Sequence, residues 1–246
     1  MPQPPLTASA SPLFVTTRWS VVLAARGDTS TDAAVALETL CRSYWYPLYA
    51  YVRRSGHEPH DAQDLTQEFF ARLLAKDWLE AADRERGRFR SFLLVAMKRF
   101  LAKEWHRERA LKRGGGVALV PLDSAEAEQR YAGEPGLAPD AVYERRWAMT
   151  LLEQVLARLG AEFAAAGKER DFAGLKDCLT SARGEIPYEK VGAELGMSAG
   201  AARVAVHRLR KRFRDVFRET VLETVEGPEG VDEEMRHIAA VLGGGV

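Results

Sequence analysis

Apolar residues return every three or four positions along nearly the whole of this 246-residue chain, and no stretch alternates apolar with polar residues long enough to make a half-buried strand. That period puts apolar side chains on one stripe of a helix, so the chain can bury them only by packing helix against helix. The fold class that follows is all-α. At this length the chain can form one large domain or two small ones, each with its own core.

Breaks in the periodicity divide the chain. Residues 1–15 are rich in Pro, Ser and Ala and read as a disordered tail. A first helical unit spans 16–113. It has helices from about Thr31 to Arg54 and from Pro59 through DAQDLTQEFFARLL, then a long one, RFRSFLLVAMKRFLAKEWHRER, that stops at three glycines. Residues 114–139 hold Gly, Pro and acidic residues without periodicity and read as a flexible linker. A second helical unit spans 140–220, and an acidic tail with helical potential occupies 221–246. The expected architecture is two small helical domains joined by that linker.

The chain as a whole is neutral, with 35 basic and 35 acidic residues, but its charge is segregated. Residues 58–83 carry seven acids against two bases, and residues 84–113 carry eleven bases against three acids. Ser198 to Arg218 holds seven Arg and Lys against Asp215 alone, whereas 219–235 has seven acids and no base. Two basic surfaces therefore stand beside two acidic ones.

The segment IPYEKVGAELGMSAGAARVAVHRLRKRF has the grammar of a helix-turn-helix. Pro187 can open the first helix, Gly196 stands where a helix end needs a left-handed residue, and Ser198 can cap the next helix. In that second helix Ala202, Val206, Leu209 and Phe213 make a core stripe, while Arg203, His207, Arg210 and Arg214 make a basic one. Such a helix can enter a major groove, with Arg reading guanine and the other cations meeting phosphates. Gly192, in mid-helix, implies a close approach by a neighbouring element.

The long third helix sets Phe89, Phe92, Leu93, Ala96 and Phe100 on a buried stripe, with Lys98 and Arg109 opposite and Arg99 and His106 on its shoulder. Phe100 and Trp105 serve either as stacking groups for bases or as core. In the preceding helix Asp61, Asp64 and Glu68 share one side, near His57 and His60. A metal or acid–base site there would need ligands from other segments, and none is nearby. The row suits docking on a basic protein surface better.

MPQPPLTASASPLF lacks the basic and apolar regions of a signal peptide, and runs such as FLLVAM are too short to cross a bilayer. Cys41 and Cys178 have no metal-ligand spacing. The expectation is a cytoplasmic protein that is not an enzyme and needs no membrane, metal or cofactor.

Together these segments resemble the extracytoplasmic-function (ECF) group of bacterial RNA polymerase sigma factors, from about Thr16 onward. HDAQDLTQEFFARLL is similar to region 2 sequences that bind the polymerase β′ clamp helices. RGRFRSFLLVAMKRFLAKEWHRER stands where the group recognises and melts the minus-ten element. PYEKVGAELGMSAGAARVAVHRLRKRFR is similar to region 4, which reads the minus-thirty-five element. TRWSVVLAARG, ERGRFRSFLL, ALKRGGG, YERRWAMTLLEQVLARL and VAVHRLRKRFRD match one subgroup. Many members have Asn near the position of Arg99 and Asp near that of Glu104, and this chain has neither.

The resemblance implies a factor that binds core RNA polymerase and directs promoter recognition, DNA melting and initiation. By it, Asp61, Asp64, Gln67, Glu68 and Phe70 dock on polymerase, with the β flap as a second contact for the chain. Arg88, Lys98, Arg99, Lys103, His106 and Arg107 meet the minus-ten region. Ser198, Gly200, Arg203, His207, Arg208, Arg210 and Lys211 hold the minus-thirty-five element. The alternative is a regulator that binds DNA through the helix-turn-helix without polymerase. An anti-sigma factor is a further expected kind of partner, as is self-inhibition by the tail. Met235, Ile238, Ala239 and Leu242 in that tail predict a helix folded back on a basic surface.

Overall fold

The computed structural model describes residues 31–74, 88–108, 124–132, 136–182, 184–225 and 227–244. The expectations for the tail 1–15, for TTRWSVVLAARG and for the glycine triplet lie outside them.

The elements are helical among the described residues, as the periodicity requires. In chain order they are α1 (Thr31–Arg54), α2 (Pro59–Leu74), α3 (Phe89–Glu108), α4 (Ser124–Ala132), α5 (Pro139–Ala165) and α6 (Glu169–Leu175). After α6 come a 3-10 turn (Lys176–Leu179), α7 (Tyr188–Leu195), α8 (Ala199–Leu222), a second 3-10 turn (Pro228–Gly230) and α9 (Val231–Leu242). Helices α2 and α5 both begin on proline, whose missing N–H costs nothing in a first turn.

Two apolar cores form. The first gathers Tyr44, Leu48, Tyr49 and Val52 of α1, Leu65, Phe69 and Leu73 of α2, and Phe89, Leu93, Met97 and Phe100 of α3. Its aromatic rings meet edge to face, Tyr44 on Phe89 at 5.5 Å and Phe69 on Phe100 at 5.8 Å between centroids. The second core gathers Val155 and Leu159 of α5, Leu175, Cys178, Ile186 and Val191, and Ala202, Val206, Leu209 and Val216 of α8.

The cores do not divide at residue 139. Tyr143, Trp147, Ala148 and Leu151 of α5 belong to the first core, and only the helix's later residues reach the second. A 27-residue helix is about 40 Å long, enough to bury one end in each core. Helix α8 does the same, with Val216 in the second core and Val221 in the first. Gln154 Nε2 donates to Ser43 Oγ at 2.8 Å and Arg54 Nε to the Leu137 carbonyl at 2.6 Å, tying α5 and its approach to α1.

Two further departures concern segments expected to be irregular or only loosely placed. The linker contains α4, anchored on α1. Arg53 donates to both Glu128 oxygens, at 2.7 and 3.1 Å, Tyr49 donates to the same carboxylate, and Ala127 enters the core. Burial works against ionisation of Glu128, but these bonds outweigh it and hold its carboxyl below the usual range. The tail forms α9, which packs Val231, Ile238 and Val241 into the first core, with Met235 and Leu242 beside it. Ala239, expected on that face, is exposed.

Candidate functional site

The helix-turn-helix is α7–turn–α8, and its geometry follows from three residues. Gly196 takes φ +69°, and Met197 N–H donates to the Gly192 carbonyl at 2.8 Å while Gly196 N–H reaches Ala193, which closes the end of α7. Ser198 Oγ then accepts from Ala201 N–H at 3.2 Å and caps α8. Gly192 is buried where a Cβ would stand 2.7 Å from the Met197 carbonyl oxygen. The approach implied by a mid-helix glycine is thus the packing of α7 on the turn itself.

The expected minus-thirty-five residues separate by role. Arg203, His207, Arg208 and Lys211 are exposed along α8, and Gly200 lies open beside the cap. The Arg203 guanidinium sits 5.1 Å over the Tyr188 ring, which orients it on the outer face. Arg210 does not join them. It donates to the Cys178 carbonyl from Nε at 3.0 Å and from Nη2 at 2.6 Å, and also to the Ser181 carbonyl. Its place in the basic stripe is spent on holding the α6–α7 connection. Tyr188 was not among the expected residues, because a tyrosine opening a helix carries no such signal in sequence.

Arg212 likewise belongs to the fold. It donates to both Glu162 oxygens at 2.7 and 2.6 Å and to Glu219 at 3.1 Å, and Arg158 also reaches Glu219. The net charge of α8 overstates what faces outward.

On α3, Arg99 and Lys103 are exposed. Lys98 is paired with Asp140 of α5 at 2.6 Å, and that hydrogen bond holds its pKa above the usual lysine value. Arg88 is bonded to Glu233 and Glu234 of α9, each at 2.8 Å. The side chains of His106 and Arg107 lie outside the described residues, as does that of Trp105. Phe100 is fully buried, so of its two readings the core one holds. Glu104 is buried and pairs with Arg72 of α2 at 2.7 Å.

Beside Arg88, Arg90 is buried at the junction of three helices. It donates to Glu234 Oε1 at 2.7 Å and to Glu144 of α5, stacks 4.8 Å over the Trp147 ring, and its carbonyl accepts from Tyr143 Oη at 2.9 Å. His237 of α9 stands 3.0 Å from Glu144. Burial opposes the charge on Arg90, but the two carboxylates outweigh it and keep the guanidinium protonated. Nothing in the local sequence distinguishes Arg90 from Arg84, Arg86 and Arg88.

The acidic row on α2 is open. Asp61 and Asp64 are exposed, with His60 Nδ1 3.3 Å from Asp64. Gln67 and Glu68 are half-buried, and Glu68 is bonded to Arg72. Phe70, expected on the docking face, is instead in the core against Phe69. Among the described residues no group of three or more His, Cys, Asp or Glu side chains is placed to hold a metal ion. No described helix is long and apolar enough to cross a membrane.

Residues 40–110, which cover α2, α3 and most of α1, match the family described as Sigma-70 region 2. Over 208 residues the chain is 27% identical to the ECF RNA polymerase sigma factor SigE of Mycolicibacterium smegmatis, a likeness covering 84% of this chain and 70% of that protein. No solved structure matches the chain.

Proposed function

The chain belongs to the ECF group of RNA polymerase sigma factors, and we propose a division of that work among its described surfaces. It joins core RNA polymerase and directs transcription initiation at promoters. The exposed carboxylates Asp61 and Asp64, with Gln67 and Glu68 beside them, dock on the β′ clamp helices. Arg99 and Lys103, continued by His106 and Arg107, meet the minus-ten region, joined by Arg88 and Lys98 once their acidic partners leave. Ser198, Gly200, Arg203, His207, Arg208 and Lys211 hold the minus-thirty-five element, while Arg210 acts through the fold and the second unit also meets the β flap. The family works by binding rather than by catalysis, and no reaction is assigned to the acidic row.

The observation that carries this reading is the sorting of side chains on α8. Its outer face keeps Arg203, His207, Arg208 and Lys211 exposed, while Arg210 and Arg212 turn to carbonyl and carboxylate partners. Cations freed on one face of a capped helix fit the phosphates and base edges of a major groove. Each surface is weak by itself, and a shared polymerase scaffold raises the effective concentration of the second contact once the first is made.

Promoter-specific run-off transcription with added core polymerase tests the assignment. A D61K/D64K variant should lose core binding while keeping its fold. An R203E/R208E variant should keep core binding and lose initiation that depends on the minus-thirty-five element. Full core binding and transcription by D61K/D64K would overturn the docking assignment. Sequence-specific DNA binding by the free chain, unchanged by polymerase, would favour the stand-alone regulator.

A further inference from the structure

The first turn of α9 carries Asp232, Glu233 and Glu234, and each pairs with an arginine on another helix or its entry. Asp232 meets Arg218 of α8 at 2.6 Å, Glu233 meets Arg88, and Glu234 meets both Arg88 and Arg90. Acids favour any helix N-terminus because they face its free N–H groups. That preference does not by itself bring three arginines from two separate basic elements onto one turn. Four residues ahead of α5's Glu144, Asp140 holds Lys98 in the same way. Of the four expected minus-ten cations whose side chains are described, two are therefore neutralised by the chain's own acids.

We propose that α9 is a built-in competitor of promoter DNA. Its carboxylates occupy, in the free protein, guanidinium groups that phosphate oxygens would otherwise take, and Asp140 does the same at Lys98. Carboxylate and phosphate offer arginine the same paired acceptors, so one can replace the other directly. The short connection between α8 and α9 keeps the carboxylates close at high effective concentration, so individually weak pairs suffice. Glu233 and Asp140 are exposed at the edge of the contact, 67% and 57% by side chain, and can exchange with an incoming strand. Buried Glu234 anchors the turn from beneath. Drawing α9 and the start of α5 away would free Arg88, Lys98 and Arg218 together.

The proposal rests on the assignment of Arg88 and Lys98 to the minus-ten region, and the test separates the two. Binding of a labelled mixed-sequence DNA single strand is measured by anisotropy for the full chain, for E233Q/D140N and for a chain ending at Val225. Both changes in the double variant neutralise exposed carboxylates and leave the core intact. It should bind roughly three- to tenfold more tightly, with the gain shrinking as salt rises. The truncated chain should gain more. Because that truncation removes Ile238 and Val241 from the first core, the point variant decides if the shortened chain fails to fold. Unchanged affinity in E233Q/D140N overturns the competition and leaves α9 a strut. In the holoenzyme, R88E/K98E should reduce open-complex formation. Wild-type behaviour there overturns the minus-ten assignment, and the competition with it.

Discussion

Arg90 and Glu234 stand 144 positions apart in sequence and meet at 2.7 Å with side chains only 5% and 1% exposed. Glu144 completes the site from α5, so three helices that share no local sequence are held by one guanidinium. Two buried charges in contact add little net stability, because each must leave water, but removing one leaves the other short of counter-charge.

E234A and R90A should each lower unfolding free energy, by less than the ~3–5 kcal/mol of a fully stranded charge, since Arg90 keeps Glu144 and Glu234 keeps Arg88. The double variant should lose clearly less than their sum, because the Arg90–Glu234 contact is then lost once rather than twice. Denaturant unfolding of the four proteins gives the cycle. Strict additivity would show that the pair is not coupled.

Gly192 should resist replacement even by the best helix former. Alanine would improve intrinsic helix propensity by about 1 kcal/mol. Its Cβ would stand 2.7 Å from a backbone oxygen of the turn, which can move only by shifting α8. G192A is expected to destabilise by about 1–3 kcal/mol net and to weaken DNA binding with it. A G192A melting temperature above wild type would contradict the close packing of the turn.

Arg208 and Arg210 should behave as opposites although they are two residues apart on one helix. R208A should leave thermal stability within about 0.5 kcal/mol of wild type and reduce the salt dependence of DNA binding by about one phosphate contact. R210A removes the donor for two backbone carbonyls and should cost about 1–3 kcal/mol in stability. Its DNA affinity should fall as a consequence. Melting curves and salt-titrated binding, run together, separate the two.

The α5–α8 tie should depend on acid pH. The hydrogen bond from Arg212 holds the Glu162 carboxyl below the usual range. A depressed folded value means the stabilisation is present above the unfolded value, near pH 4.5, and is lost as pH falls through the folded one. The groups are a third or more exposed, so the effect stays under about 1 kcal/mol. E162Q should therefore melt slightly below wild type at neutral pH and match it in acid. A gap between the two that persists or widens in acid would refute this.

The helix-turn-helix was legible because its signals are local. The φ of Gly196 and the cap at Ser198 act within a few residues, and the stripe of Ala202, Val206 and Leu209 needs nothing beyond its own helix. Charge was legible by segment but not by partner. Arg203, Arg208 and Arg210 look equivalent in sequence, and they differ because the α6–α7 connection runs past Arg210 alone. Phe70 looked available for docking beside the acidic row, yet the turn of α2 carries it to the inner face with Phe69. Periodicity located α9 but slipped at one position, since packing on the first core buried Val241 where Ala239 had been expected.

The amino-acid sequence alone determined an all-α chain, a capped basic helix and four segregated charge surfaces, because period, caps and local charge act over one or two helical turns. Tertiary structure decided how those parts are shared out. Helices α5 and α8 are long enough to serve both cores, and α4 turned an expected linker into a docked element. The acids of α9 found Arg88, Arg90 and Arg218 across distances in sequence that no periodicity spans. A cation and its counter-charge are matched only when the chain's packing brings them together, so the choice of partner could not be read before the fold was known.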